Sequence, residues 1–349
     1  MNKPKLLYIS CHEVLEYDEL RMFTELGIDV SPIGFYFNPQ EPMSNIRPPI
    51  PNLNINKDFA YVFMQTNPNY ILPGLREICG LVKITKELIE SFDIIYICYY
   101  PDIILKNDKT LFNDKMVILR TIAVPDEGLE SMYAECLNRV PHLKIVRMSN
   151  LEKTVSNFCG YDMCITQTVD TNLYSGWHGT EPSVLTVNKY FKERNTDCGF
   201  NLYEEVTKSF KRKLIGVGNN DLPYAEDGVS QEQLLEYLKS HRVYFPGYSR
   251  PSPITYSFIE ALCTGIPIVS MGKELGYEGL EYTNYIENGV SGFYSDDIKE
   301  LKSCIHTLFV DYNLAIKMSV EARNIGMKYF DWSIAKDKWK RFFKHIGIL

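Results

Sequence analysis

RPSPITYSFIEALCTGIPIVS, residues 250–270, decides the fold class. It reads as a capped helix running directly into a buried strand. Ser252 is a preferred N-cap type, and Pro253 suits the first helical position because its missing N–H would be unpaired there anyway. Ile254 to Cys263 follows at helical spacing, Thr264-Gly265 ends the helix, and Ile266 to Ser270 is a short apolar strand entered through Pro267. The N–H groups of Ile254 and Thr255 would then project unpaired from the helix end. Together with the helix dipole they make an anion site.

The same alternation extends outward in both directions. Upstream, the strand candidates are Leu6–Ser10, Ile28–Ile33, Ile94–Cys98, Met116–Leu119, Lys144–Met148, Met163–Ile165, Val184–Asn188, Lys213–Val217 and Arg242–Phe245. Between them, Asp18–Leu26, residues 81–92, Glu130–Leu137, Leu202–Phe210 and Ser230–Ser240 read as helices, and residues 38–58, rich in Pro and Asn, as a loop. Downstream, Ile298–Phe309, Asn313–Tyr329 and Trp332–Phe343 are helical. Strands alternating with helices imply parallel pairing and an α/β fold. Residues 172–183 have loop composition, which puts the boundary between two α/β domains at 178/179: 1–178, 179–330 and a final helical segment 331–349.

Length and composition agree. A chain of 349 residues exceeds what a single core usually supports, and 45% hydrophobic with 23% charged residues is a globular balance. The net charge of -7 argues against a large nucleic-acid footprint, although a local basic strip can still hold an anion. Nine cysteines at 11, 79, 98, 136, 159, 164, 198, 263 and 304 include no C-x-x-C pair. They read as reduced thiols in a cytoplasmic protein rather than as a zinc site. No segment approaches the roughly 20 apolar residues of a membrane span.

Glu260 is the first candidate for chemistry. It lies in an otherwise apolar helix between Ile259 and Ala261, so it is expected to be paired or ligand-bound. Eight residues separate it from Ser252, about 12 Å along a helix axis. A carboxylate there can accept both hydroxyls of a ribose whose diphosphate sits on the helix end. The bland alternative is a capped helix with one solvated Glu. Lys189, Lys192 and Arg194 follow the strand Val184–Asn188, where on position alone Lys192 and Arg194 read as exposed loop charges. Gly216-Val217-Gly218-Asn219 reads on its residues alone as an ordinary strand-to-loop turn. Tyr248 lies in the loop just before Ser252-Pro253, where it can line the pocket at the helix end.

In the N-terminal half, His12 stands at the end of a presumed central strand, where α/β folds place ligands. It can act on a hydroxyl, bind phosphate or serve as a structural hydrogen-bond partner. Arg120 ends another strand, to hold a substrate or to pair with Asp126 and Glu127. Trp177 can stack on a sugar or simply pack. Asp296-Asp297 reads as a helix cap, and no Asp-x-Asp stands in a metal-binding context.

IEALCTGIPIVS and the stretch YIENGVSGFYSDDIKELKSCIHTLFVDYNLAIKMSVEARNIGMKYFDWSIAKDKW resemble the C-terminal half of retaining GT-B glycosyltransferases of the GT4-like group. The shared features are Glu-Ala-x-x-x-Gly-x-Pro from Glu260, the Asn288-Gly289 to Gly292-Phe293 loop, the Asp311 region, Met318–Arg323 and Phe330-Asp331-Trp332. The likeness covers about a hundred C-terminal residues and is weak in the N-terminal half. It implies two Rossmann-like domains facing a cleft, an N-terminal one for the acceptor and a C-terminal one for the donor, with the last helix crossing back to the N-terminal domain. It implies that Glu260 binds the donor ribose, that the Pro251–Thr255 backbone, with Ser252, Pro253 and Ile254, takes the diphosphate, and that Lys189 first, then Lys192 and Arg194, neutralise it. Gly218 and Asn219 would receive the base. His12, Arg120 and Lys189 are the catalytic candidates. The first Glu of the family's E-x7-E pattern falls on Ser252, so that carboxylate is missing.

The resulting expectation is a retaining, metal-independent transfer from a nucleoside-diphosphate sugar to an acceptor hydroxyl on a glycan, a lipid-linked sugar or a small molecule, with no cofactor. Two other readings stand beside it: transfer to hydroxymethylated pyrimidines in DNA, and a non-catalytic nucleotide-sugar-binding protein.

Overall fold

The computed structural model describes residues 3–44, 46–50, 52–53, 57–68 and 82–349. Cys79, the first residue of the helix expected over 81–92 and part of the loop expected over 38–58 lie outside them. The chain forms two compact units. One is Met1–Thr166 together with Lys336–Leu349, and the other is Gln167–Ala335.

The first unit is a parallel sheet of β1 (Lys5–Ile9), β2 (Asp29–Ile33), β3 (Ile94–Cys98), β4 (Met116–Arg120), β5 (Leu143–Arg147) and β6 (Met163–Cys164), ordered β2-β1-β3-β4-β5-β6. Leu6, Leu7, Ile94–Ile97 and Val117–Leu119 are fully buried, as continuous apolar strands covered on both faces should be. Its helices include α1 (Glu13–Glu25), α2 (Lys57–Thr66), α3 (Lys86–Ile89), α4 (Asp102–Lys106) and α5 (Glu127–Arg139). The helix expected over 81–92 shrinks to α3 because Thr85 caps it, while the amides of Asn67 and Asn107 hold the backbone of Val82, Lys83 and Ile84.

The second unit repeats the architecture. β7 (Glu181–Val187), β8 (Arg212–Ile215), β9 (Ala225–Glu226), β10 (His241–Tyr244), β11 (Ile268–Met271) and β12 (Gly292–Ser295) form a parallel sheet ordered β12-β11-β10-β7-β8-β9. The first strand lies in the middle, β8 and β9 follow on one side, and β10 to β12 follow on the other. This is the dinucleotide-binding strand order, whose direction reverses between β7 and β10. The helices are α6 (Asn195–Cys198), α7 (Phe200–Thr207), α8 (Gln231–Ser240), α9 (Tyr256–Thr264), α10 (Ile298–Val310) and α11 (Tyr312–Phe330). Strands β9 and β12 were not expected: one is two residues long and the other begins at a glycine.

Residues 167–178, expected with the first half, fold with the second. Val169 exchanges backbone hydrogen bonds with Phe330 and Trp332 (2.9 Å each), and the Arg323 guanidinium donates to the carbonyls of Thr171 and Tyr174. Trp177 packs, its indole N–H donating to the His241 carbonyl at 2.8 Å. The last helix, α12 (Trp332–His345), joins the first unit from Lys336 onward. Trp339, Phe342 and Phe343 are buried, with Phe23 edge-on to Trp339 at 5.0 Å and to Phe343 at 5.2 Å. Lys336 pairs with Glu25 of α1. The apolar stripe of this helix is thus the reason that it returns to the N-terminal sheet.

Candidate functional site

In open parallel sheets, ligands bind beyond the carboxyl ends of the strands where the strand order reverses. In the second unit that place is framed by the loops after β7 (188–194), β8 (216–219) and β10 (245–255). Each loop contains residues singled out from the sequence.

The helix after β10 begins three residues later than its sequence suggests. Thr255, not Ser252, is the N-cap of α9, and its hydroxyl accepts from the Phe258 N–H at 3.3 Å. The buried Tyr282 hydroxyl, 2.9 Å from Thr255 Oγ1, fixes that choice. Ser252 instead closes a turn: its N–H donates to Ser249 O at 2.7 Å and its hydroxyl to Ile254 O at 2.8 Å. Pro253 and Ile254 are buried in the approach to the helix. The N–H groups at the open end of α9 therefore belong to Tyr256 and Ser257 rather than to Ile254 and Thr255.

The later start brings Glu260 nearer to that end. It is five residues beyond the cap, about 7.5 Å along the axis rather than 12. Glu260 is 4% exposed, and one carboxylate oxygen accepts from the Tyr174 hydroxyl at 2.8 Å. Gln231 donates in turn to Tyr174 at 3.4 Å. The expectation that Glu260 is paired rather than freely solvated describes this geometry. Its partner Tyr174 could not be picked out beforehand, because it lies 86 residues away in a segment of loop composition.

The cations separate into two groups. Arg194 is half-buried and donates to Ser249 Oγ at 2.9 Å, so it links the loop after β7 to the loop after β10. Lys189 is exposed at the first turn beyond β7. Lys192 points to Asp221, and both side chains are more than half exposed, as in a loop ion pair. A cation that the sequence reading passed over, Arg250, donates to Gly276 O at 2.9 Å and lies over the rings of Tyr248 and Tyr277 at 5.5 and 5.0 Å. Tyr248 is buried, with its ring across the face of Gly199, and burial raises its hydroxyl above the usual range against the pull of Arg250. It shapes the loop from within.

At the end of β8, Gly216 and Gly218 both have positive φ, at 142° and 81°. A Cβ on Gly216 would collide with the Asn188 carbonyl, and one on Gly218 would collide with the ring of Tyr190. The glycines therefore permit close approach, but what approaches Gly218 is a side chain of the protein itself. Asn219, expected to meet a base, is fully buried. Its amide donates to Asn188 O (2.9 Å) and Gly216 O (2.7 Å) and accepts from Phe191 N (2.9 Å). It is the strut between two loops. Tyr190 has a φ of 50°, a left-handed conformation that costs a non-glycine residue about 1–3 kcal/mol.

In the first unit, two candidates change character. His12 is the N-cap of α1, its Nδ1 accepting from Leu15 N at 3.3 Å, which is the structural reading of that residue. Arg120 is 1% exposed and reaches neither Asp126 nor Glu127. It lies 3.4 Å from Glu19, donates to Ile165 O at 2.5 Å and has its guanidinium over the Trp339 ring. An arginine this deeply buried and paired is a core residue, so it is removed from the acceptor-binding candidates. Asp126 caps α5, and Asp297 caps α10 as its sequence predicts. Among the described residues, no three His, Cys, Asp or Glu side chains gather where they could hold a metal ion.

Two parallel six-stranded sheets, one of them in dinucleotide-binding order, and a last helix returning to the first unit give the chain the GT-B fold. No protein-family model matches the sequence, and the search of curated proteins finds no relative. The fold is similar to that of a sucrose-phosphate synthase from Thermosynechococcus elongatus, with a TM-score of 0.69 at 12% identity, covering 99% of each chain. It is also similar to a glycosyltransferase from Rickettsia africae ESF-5, with a TM-score of 0.66 at 14% identity and 99% of each chain covered. Anabaena Alr3699/HepE, solved in complex with UDP and glucose, matches with a TM-score of 0.61 at 12% identity, over 99% of this chain and 100% of that one.

Proposed function

We propose that the protein is a retaining, metal-independent glycosyltransferase that moves a sugar from a nucleoside-diphosphate sugar to an acceptor hydroxyl in the cytoplasm. One observation carries this reading. The open N-terminus of α9, the cations Lys189 and Arg194, and Glu260 all belong to the loops and helix at the reversal point of the second sheet. The diphosphate would sit against the N–H groups of Tyr256 and Ser257, and Glu260 would accept from the ribose hydroxyls. The bond from the anomeric carbon to the diphosphate breaks as the acceptor oxygen attacks the same face. The acceptor proton passes to the departing phosphate oxygen, so configuration is kept.

The charge developing on the diphosphate is the main electrostatic demand of this reaction, and Lys189 and Arg194 supply the counter-charge that a metal ion would otherwise bring. Nucleotide-sugar use is supported by the likeness to Anabaena HepE, which has been solved with UDP-glucose. No disulfide joins the eight described cysteines. No described helix is long and apolar enough to cross a membrane.

The test is a panel of nucleoside-diphosphate sugars mixed with glycan, lipid-linked and small-molecule acceptors in the presence of a chelator. Nucleotide release is followed together with the anomeric configuration of the product. Transfer with retention is expected. Nucleotide binding without hydrolysis or transfer under any mixture would leave a non-catalytic binding protein, the reading that Ser252 in place of a family Glu favours.

A further inference from the structure

Tyr190 joins three features that core packing does not explain together. It stands in the first turn beyond β7, at the reversal point of the sheet. Its backbone is left-handed, and the conformation is held from both sides: its N–H donates to Val217 O at 2.7 Å and its carbonyl accepts from Arg194 N at 2.8 Å. The next residue, Phe191, is fully buried against Phe200 and Tyr203 and has its N–H on the Asn219 strut. Phe191 therefore anchors the loop, and Tyr190 is not needed for that purpose. Its ring nevertheless lies across Gly218, where only a glycine fits, and the residue remains 44% exposed. The strained turn thus keeps an aromatic ring at the carboxyl edge of β7, backed by the neighbouring loop.

We infer that Tyr190 is the platform on which the nucleobase of the donor stacks, with Gly218 as the backing of the platform rather than as the base contact itself. This inference rests on the donor-site reading given above. A planar heteroaromatic ring is the ligand chemistry that an exposed phenol face recognises without discriminating sharply between bases. The neighbouring Lys189 and Arg194 would then meet the phosphates of the same nucleotide. The buried Asn219 contributes by holding the two loops together and not by reading the base.

The test compares binding of uridine diphosphate, adenosine diphosphate and inorganic pyrophosphate to the full chain by calorimetry. Tyr190→Ala is expected to weaken binding of the preferred nucleoside diphosphate about five- to hundredfold, the range found when a base loses its aromatic partner. Pyrophosphate affinity is expected to stay unchanged, and Tyr190→Trp and Tyr190→Phe are expected to keep nucleotide affinity within about threefold. Tyr190→Gly removes the ring and relieves the left-handed strain. It should show the same selective loss with a melting temperature no lower than that of the parent, which keeps the test decisive if Tyr190→Ala folds poorly. An unchanged nucleotide affinity in both ring-deleted variants would overturn the inference, as would an equal loss for pyrophosphate. If the parent chain binds neither nucleotide, the donor-site reading itself falls. Nucleotide binding by the parent with no Tyr190 effect would remove only the platform.

Discussion

The charged side chains at the carboxyl ends of the strands turn inward in the first unit and outward in the second. Arg120 at the end of β4 is enclosed by Glu19, Ile165 and Trp339, while Tyr8 and Tyr96 donate to the same Glu19 at 2.7 and 2.5 Å. Arg147 at the end of β5 makes a two-pronged contact with Glu130 at 2.8 and 2.6 Å and reaches Glu152 at 3.2 Å, all of it buried. Glu16 on α1 accepts the N–H groups of Phe35 and Tyr36 at 2.9 and 2.8 Å. In the second unit, Lys189 and Arg250 are exposed and Arg194 is half-buried, at the corresponding edge of a sheet of the same kind. Two parallel six-stranded sheets of different strand order have thus been given two uses. Buried charges must satisfy one another and so stiffen the loops around them. Charges left at the surface of a reversal point remain within reach of a ligand.

The contrast can be broken first where it is strongest. Arg147→Ala would strand two buried carboxylates. It should cost about 3–5 kcal/mol in denaturant unfolding, whereas a loss near that of a surface residue would show that the network is not structural. A second probe is pH. Burial pushes the Glu16 carboxyl up from 4.5 to about 7, outweighing the hydrogen bonds from Ser10, Tyr36 and Phe35 that pull it down. The folded state therefore favours the proton. The stability from this group is complete below about pH 4.5 and lost as pH rises to about 7, roughly 3 kcal/mol in all. Subtracting the unfolding profile of Glu16→Gln from that of the parent should isolate that slope, and parallel profiles would refute it.

Smaller effects are expected in the second unit, and they should appear in binding rather than in folding. Glu260→Gln keeps an acceptor for Tyr174 but loses the charge, and nucleoside-diphosphate affinity should fall about tenfold. Unchanged affinity would remove Glu260 from the site. Lys192→Ala, which breaks only the exposed pair with Asp221, should change stability by less than about 1 kcal/mol and leave nucleotide binding untouched. A tenfold loss of affinity there would show that Lys192 is a phosphate ligand after all.

The alternation of short apolar runs with amphipathic helices was enough to read the class of the fold, because parallel strands buried on both faces leave little ambiguity. Ile94–Cys98 is observed with the expected bounds, and α8, α10, α11 and α12 lie within two residues of theirs. Errors arose where distant partners chose between equivalent local signals. Ser252 and Thr255 are both cap-forming types at the start of the same helix, and the choice is made by the hydroxyl of Tyr282, 27 residues further on. The boundary at 178/179 was set by composition. The observed division follows instead from Val169, Thr171 and Tyr174 bonding to residues beyond 320. Arg120 shows the same limit. A strand-terminal arginine looks identical in sequence whether it faces a ligand or a buried glutamate from another helix. Tyr190 carried no sequence signal at all, since its interest lies in a backbone angle and in the glycine beneath it.

Amide hydrogen exchange of the full chain, with and without a saturating nucleoside diphosphate, tests the account most directly. Protection is expected in the second unit at 188–194, 216–219 and 247–258, the three loops at the reversal of its strand order. Protection confined to 10–12, 99–101 and 121–124 in the first unit, with the second unit unchanged, would contradict it.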